Sequence, residues 1–140
     1  MRIRKFLAAA AMAGTVLTAG VATTGTASAS SLADCSGHSE TVCLYYNSSS
    51  SGHGAVFFQT SNISNYSGYY FSGGAYGSSG AGVSVKNHAA AVDSYYAGSF
   101  TVYYGSGDRN CSYACQTVPD YSYRDLNAQM KNNNAAGFFG

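Results

Sequence analysis

The residues of this chain whose type and spacing could do chemistry are its four cysteines, Cys35, Cys43, Cys111 and Cys115. An even count in a small chain reads as two disulfides. Three pairings are formally open, and the sequence-local one, Cys35–Cys43 with Cys111–Cys115, is favoured because each pair brackets a short polar turn. Zinc is the competing chemistry. It would want CxxC-type spacing or a partnered histidine pair, which His38, His53 and His88 do not supply. A Ser/His/Asp hydrolase would need a strained nucleophile turn and a recognisable order of partners, and neither is present. There is likewise no GxGxxG, P-loop or GxSxG pattern. No catalytic residue, metal or cofactor is therefore assigned. His38 and His53 fall in turn segments and are expected to be solvated.

Composition places these cysteines in an exported domain. Residues 1–29 read as a secretory signal peptide: Arg2, Arg4 and Lys5 form a basic head, residues 6–21 an uncharged apolar run, and Ala27-Ser28-Ala29 a small-x-small cleavage site. Gly14, Thr15, Thr18 and Gly20 dilute that run and no second one follows, which argues against a membrane anchor. The secreted domain then spans residues 30–140. Its four basic residues (Lys86, Arg109, Arg124, Lys131) against six acids (Asp34, Glu40, Asp93, Asp108, Asp120, Asp125) leave a net charge of −2. Without a basic stripe to neutralise phosphates, nucleic acid and anionic membrane are excluded as expected partners. Charged residues are scarce, yet thirteen tyrosines clustered with valines and phenylalanines can bury enough area to fold.

The elements that must position the cysteines are short strands. Runs of β-branched and aromatic residues bounded by turn residues predict strands over 41–46, 55–59, 69–72, 82–85, 91–96, 100–104, 116–118 and 137–139. One helical turn is predicted over 123–130, with Leu126 and Met130 on one face. This favours an all-β sandwich or barrel. Two landmarks recur in the same order. Leu44-Tyr45-Tyr46 is echoed by Val102-Tyr103-Tyr104, 58 positions on, and Lys86-Asn87 by Lys131-Asn132, 45 positions on. The chain reads as two diverged copies of one unit, the first carrying about thirteen extra residues within the Gly/Ser-rich stretch 68–82.

Two tandem β units, each opening on an aromatic strand and closing near a Lys-Asn turn, resemble a βγ-crystallin-type domain. More narrowly, residues 35–139 resemble the secreted bacterial metalloproteinase inhibitors (peptidase inhibitor family 36). The resemblance rests on Cys35, Val42-Cys43-Leu44-Tyr45, Val85-Lys86-Asn87, Phe100-Thr101-Val102-Tyr103-Tyr104-Gly105, the Cys111/Cys115 pair, and Leu126-Asn127 with Met130-Lys131-Asn132-Asn133-Asn134. It implies a βγ-crystallin-like Greek-key sandwich of two diverged repeats, two local disulfides, and a reactive loop made of Cys111, Ser112, Tyr113, Ala114 and Cys115. It also implies an extracellular protease, above all a metalloproteinase, as the partner of a monomeric inhibitor. Cys111 would precede the scissile bond and Ser112 follow it. The chain departs from the family pattern here, where the cysteine pair spans one more residue and a bulky apolar residue follows the first cysteine. Thermolysin-like enzymes select a large apolar side chain there. Ser112 forgoes roughly 1.5–3 kcal/mol of contact, about one to two decades of affinity. Tyr113 is the neighbouring candidate anchor.

Many βγ-crystallin domains hold calcium through two adjacent Asn/Asp residues and a following Ser/Thr-Ser pair. The matching stretches 86–91 and 132–137 have no hydroxyl ligands, and the first places Lys86 where an acceptor belongs. The Asn run instead suits a tight turn. The sequence thus points to an inhibitor, not an enzyme. The alternative is a non-inhibitory secreted structural or adhesive protein of the same fold. Mass spectrometry of the exported protein should find its N-terminus at Ser30; an intact residue 1–29 segment would remove the export reading.

Overall fold

The computed structural model describes residues 32–107 and 109–140, so the expected signal peptide, residues 1–29, lies outside the described residues. Seven strands form among the described residues: β1 (Thr41–Tyr45), β2 (Val56–Gln59), β3 (Ala91–Tyr95), β4 (Phe100–Tyr103), β5 (Cys115–Val118), β6 (Tyr123–Asp125) and β7 (Ala136–Phe139). They build two antiparallel sheets, ordered β2-β1-β3-β6 and β5-β4-β7. The all-β class, two sheets and two local disulfides agree with the sequence, and six strands lie within one residue of expectation at each end.

Two expected strands do not form. Residues 69–72 and 82–85 face each other through Val85 N–H to Tyr69 O (2.9 Å) and Phe71 N–H to Val83 O (3.0 Å), but make only isolated bridges. Gly77, Gly80 and Gly82 between and within them adopt positive φ and turn the chain before a ladder can grow. The expected helical turn over 123–130 is also corrected. Its first three residues are β6, and the turn begins at Asn127, whose side-chain Oδ1 accepts from the N–H groups of Gln129 and Met130 (both 3.0 Å). Leu126 and Met130 are nonetheless both buried.

The duplication is visible in the registers. Tyr45 lies opposite Ala91 in the first sheet and Tyr103 opposite Ala136 in the second, the same 58- and 45-position offsets read from sequence. Asn87 and Asn132, the repeated turn residues, share the left-handed conformation (φ 63° and 60°). The units are also interleaved. β6 follows β5 in the second unit yet pairs with β3 of the first. Reciprocally, Ile63 follows β2 yet bridges Gly137 in β7, with backbone bonds of 2.9 Å in both directions.

The main core lies between the sheets and includes Val42, Leu44, Tyr66, Val92, Phe100, Val102, Val118 and Met130. A second cluster covers the outer face of the first sheet: Cys35, Cys43, Tyr45, Val56 and Ala91, with Leu32, Tyr76, Tyr95 and Tyr123 packed on it. The 32–36 arm, tied down by Cys35–Cys43, makes that cover. All five β1 residues are therefore buried instead of alternating. Tyr95 and Tyr96 do alternate, one onto each cluster.

At the interleaving point Tyr66 Oη donates to Gln59 Oε1 (2.7 Å), and Gln59 Nε2 donates to Gly137 O (2.9 Å) and Ser61 O (2.8 Å), with Tyr66 and Gln59 fully buried. A Cβ on Gly137 would lie 1.9 Å from Tyr66 Oη and 2.6 Å from the Phe100 ring. Tyr66→Phe should cost about 1–3 kcal/mol by stranding the Gln59 carbonyl oxygen, and Gly137→Ala about 1–3 kcal/mol by overpacking. Denaturant titration checks both.

Candidate functional site

The residues expected to form a reactive loop come together at the end of the β4–β5 connection. Cys111 and Cys115 are bonded, with Cα atoms 5.1 Å apart, and Cys111, Ser112 and Tyr113 are exposed while Ala114 is half-buried. Tyr113 is 84% exposed, more than any other large apolar or aromatic side chain among the described residues. Three contacts fix this protruding segment. Asn110 Oδ1 accepts from the Ser112 N–H (2.7 Å) and from its hydroxyl. Ala114 O accepts from Tyr104 N–H (3.1 Å), closing the base of the loop. Arg109 stacks over the Phe138 ring, 4.8 Å from its centroid. The disulfide itself removes only about 2 kcal/mol of unfolded-chain entropy; its larger effect is local stiffness. Chemically the loop offers no nucleophile with a base. It can present backbone and a phenol in one conformation.

The other disulfide, Cys35–Cys43, is buried under the outer cluster and takes no part in any exposed site. Beside it lies a group the sequence did not suggest. His53, expected to be solvated, is half-buried among tyrosines, its ring centroid 5.3 Å from Tyr45, 4.9 Å from Tyr76 and 5.4 Å from Tyr123. Its left-handed φ of 62° and the neighbouring Gly54 turn the ring inward. Tyr45 Oη, His53 Nδ1 and Asp34 Oδ2 are buried there without a hydrogen-bond partner among the described residues. Burial, reinforced by Asp34 and Asp93, pushes the Tyr45 phenol far up. Burial pushes His53 down, against the opposing pull of Asp125 and Asp34. Asp125 is held low: burial acts to raise it, but hydrogen bonds from Ser49 and Tyr123 outweigh that. His38 and His88 are exposed, as expected of turn residues.

The two Lys-Asn turns line a related pair of polar cavities. One of about 300 Å³ joins Tyr46, Asn47 and Ser48 to Lys131 and Asn132; its counterpart of about 290 Å³ joins Tyr104, Gly105 and Ser106 to Lys86 and Asn87. Lys131 Nζ donates to Ser48 Oγ (3.2 Å) across the first. An ammonium group in each cavity opposes a cation. Among the described residues no group of three or more His, Cys, Asp or Glu side chains could hold a metal. Nor is any helix among them long and apolar enough to cross a membrane. No family model, curated protein or solved structure matches the chain.

The shifts of His53 and Asp125 fix the sign of an acid response. Both groups have folded values below their ordinary ones of 6.5 and 3.8, so the unfolded chain binds the extra protons. Stability is complete above about pH 6.5 and should fall first below it as His53 is forced to charge, then again below about pH 3.8 as Asp125 is neutralised. His53→Phe should abolish the first fall and keep the second, as read from denaturant midpoints between pH 8 and 3.

Proposed function

We propose that this chain is a secreted, βγ-crystallin-like Greek-key protein that inhibits extracellular metalloproteinases through residues 111–115. The observation that carries the reading is the loop itself: five residues closed by their own disulfide, solvent-exposed at Ser112 and Tyr113, and held by Asn110 and Tyr104. An inhibitor of this kind gains affinity because little ordering entropy is lost on binding, and a cut loop keeps its ends together through the disulfide.

The Greek-key part of the proposal is supported by the strand orders. In each unit the first strand lies between the second and the fourth, and the third is exchanged with the other unit. Secretion is supported by the two disulfides, which persist in oxidising compartments. Ser112 brings no apolar side chain for a large pocket, so Tyr113, protruding beside it, is the anchor the loop offers.

The test is inhibition of a thermolysin-type protease by micromolar protein, with a panel that includes serine proteases. Ser112→Val should tighten inhibition of the metalloproteinase by about one to two decades. The paired change Cys111→Ser, Cys115→Ser should weaken it while costing about 2 kcal/mol of stability. If wild type and Ser112→Val both leave every protease untouched, the inhibitor proposal fails.

A further inference from the structure

The duplication provides a comparison within one molecule. In the first unit the outer edge of β2 is covered by the chain itself. Val56 N–H donates to Ser72 O (2.8 Å), Val56 O accepts from Ser72 N–H (2.9 Å), and Ala55 N–H donates to Ser79 O (2.8 Å). Gly80 rests on the face of Tyr46, so closely that a Cβ there would lie 2.1 Å from the ring. A Cβ on Gly54 would lie 2.7 Å from Ser79 O. The Gly/Ser-rich insertion thus covers that edge with one bridging residue, Ser72, and with the turn that carries Ser79 and Gly80, and both glycines are required by its approach.

The second unit has the same receiving geometry. Tyr104 N–H donates to Ala114 O (3.1 Å) as Tyr46 N–H donates to Ala55 O (3.0 Å), and Cys115 lies opposite Tyr103 as Val56 lies opposite Tyr45. Equivalent pairing turns the N–H and C=O of Cys115, and of Thr117 two residues on, away from β4. The second unit lacks the insertion. β5 is the end strand of its sheet, and the Ala114 N–H has no acceptor among the described residues. Tyr104 is 44% exposed, and Tyr113 stands at the position of Gly54, its ring 5.9 Å from that of Tyr104. Beside them is a cavity of about 320 Å³ lined by Tyr104, Tyr113, Ala114, Gln129 and Asn133, with no charged side chain.

We propose that the outer edge of β5, from Ala114 to Thr117, binds an extended, uncharged segment of a partner protein as an added antiparallel strand, with a small residue resting on Tyr104. An open strand edge is a template for such pairing, and the first unit specifies the occupant: Ser and Gly backbone, with no Cβ over the tyrosine. Pro119, directly after β5, limits the added strand to about four residues. Tyr113 flanks it as a wall. The edge shares Ala114 and Cys115 with the proposed reactive loop, but its binding does not depend on whether that loop inhibits a protease.

The probe is a synthetic peptide with the sequence of residues 70–81, titrated into isotope-labelled exported protein and followed by NMR. Saturable shifts at the amides of Ala114, Cys115 and Thr117 and at the rings of Tyr104 and Tyr113 are expected. Thr117→Pro in the protein, which removes an outward N–H, should weaken binding about fivefold or more. A Gly80→Val version of the peptide should do the same, and leaves the protein unaltered. Shifts that map elsewhere, equal affinity for the two peptides, or a dimer already closed through β5 before peptide is added would each overturn the proposal.

Discussion

Everything in this fold depends on the junction at Gly137. Its carbonyl accepts from Gln59, its N–H and carbonyl both pair with Ile63, and the space its side chain would need is taken by the Tyr66 hydroxyl. Gln59 ends β2, Ile63 and Tyr66 follow it, and Gly137 lies in β7 of the other unit, so two distant stretches of chain meet at one glycine. A buried amide is costly to strand, and here it is satisfied only when both units are in place. The junction therefore specifies the assembly as well as stabilising it.

Much of the architecture was legible because it is local. The Tyr-Tyr and Lys-Asn echoes mark equivalent strands and turns, and their offsets reappear in the registers. The two disulfides follow from spacing because each closes a short loop. What stayed hidden was non-local. Ile63 is a lone apolar residue among Asn and Ser, so its role in the exchanged pairing leaves no periodic trace. Gln59 is a polar residue at a strand end, and its burial becomes apparent only with Tyr66 beside it. Residues 69–72 and 82–85 carry strand-like side chains, but the glycines between them set the backbone. The disulfide-closed loop of residues 111–115 was legible as a segment. Its holding contact from Asn110 and the tyrosine cage around His53 were not, since both depend on side-chain direction.

The two units have diverged by dividing their tasks. In the first, an arm and an insertion close both the outer face and the strand edge, and the result is buried tyrosine, buried disulfide and glycine where side chains would collide. In the second the same framework is left uncovered, and the exposed Tyr104 and Tyr113 and the disulfide-closed loop lie there. The cover that one unit provides for itself is what makes the other's surface conspicuous.

The interleaving also sets a schedule. β3 cannot gain its outer neighbour until β6 has been made, and Ile63 and β4 both wait for β7, the last strand in chain order. Neither unit can close as a nascent chain, because each lacks a piece still inside the ribosome, and such distant pairings form slowly. A polypeptide built this way becomes protease-resistant as one unit, only once β7 is available to complete both the second sheet and the Ile63 bridge.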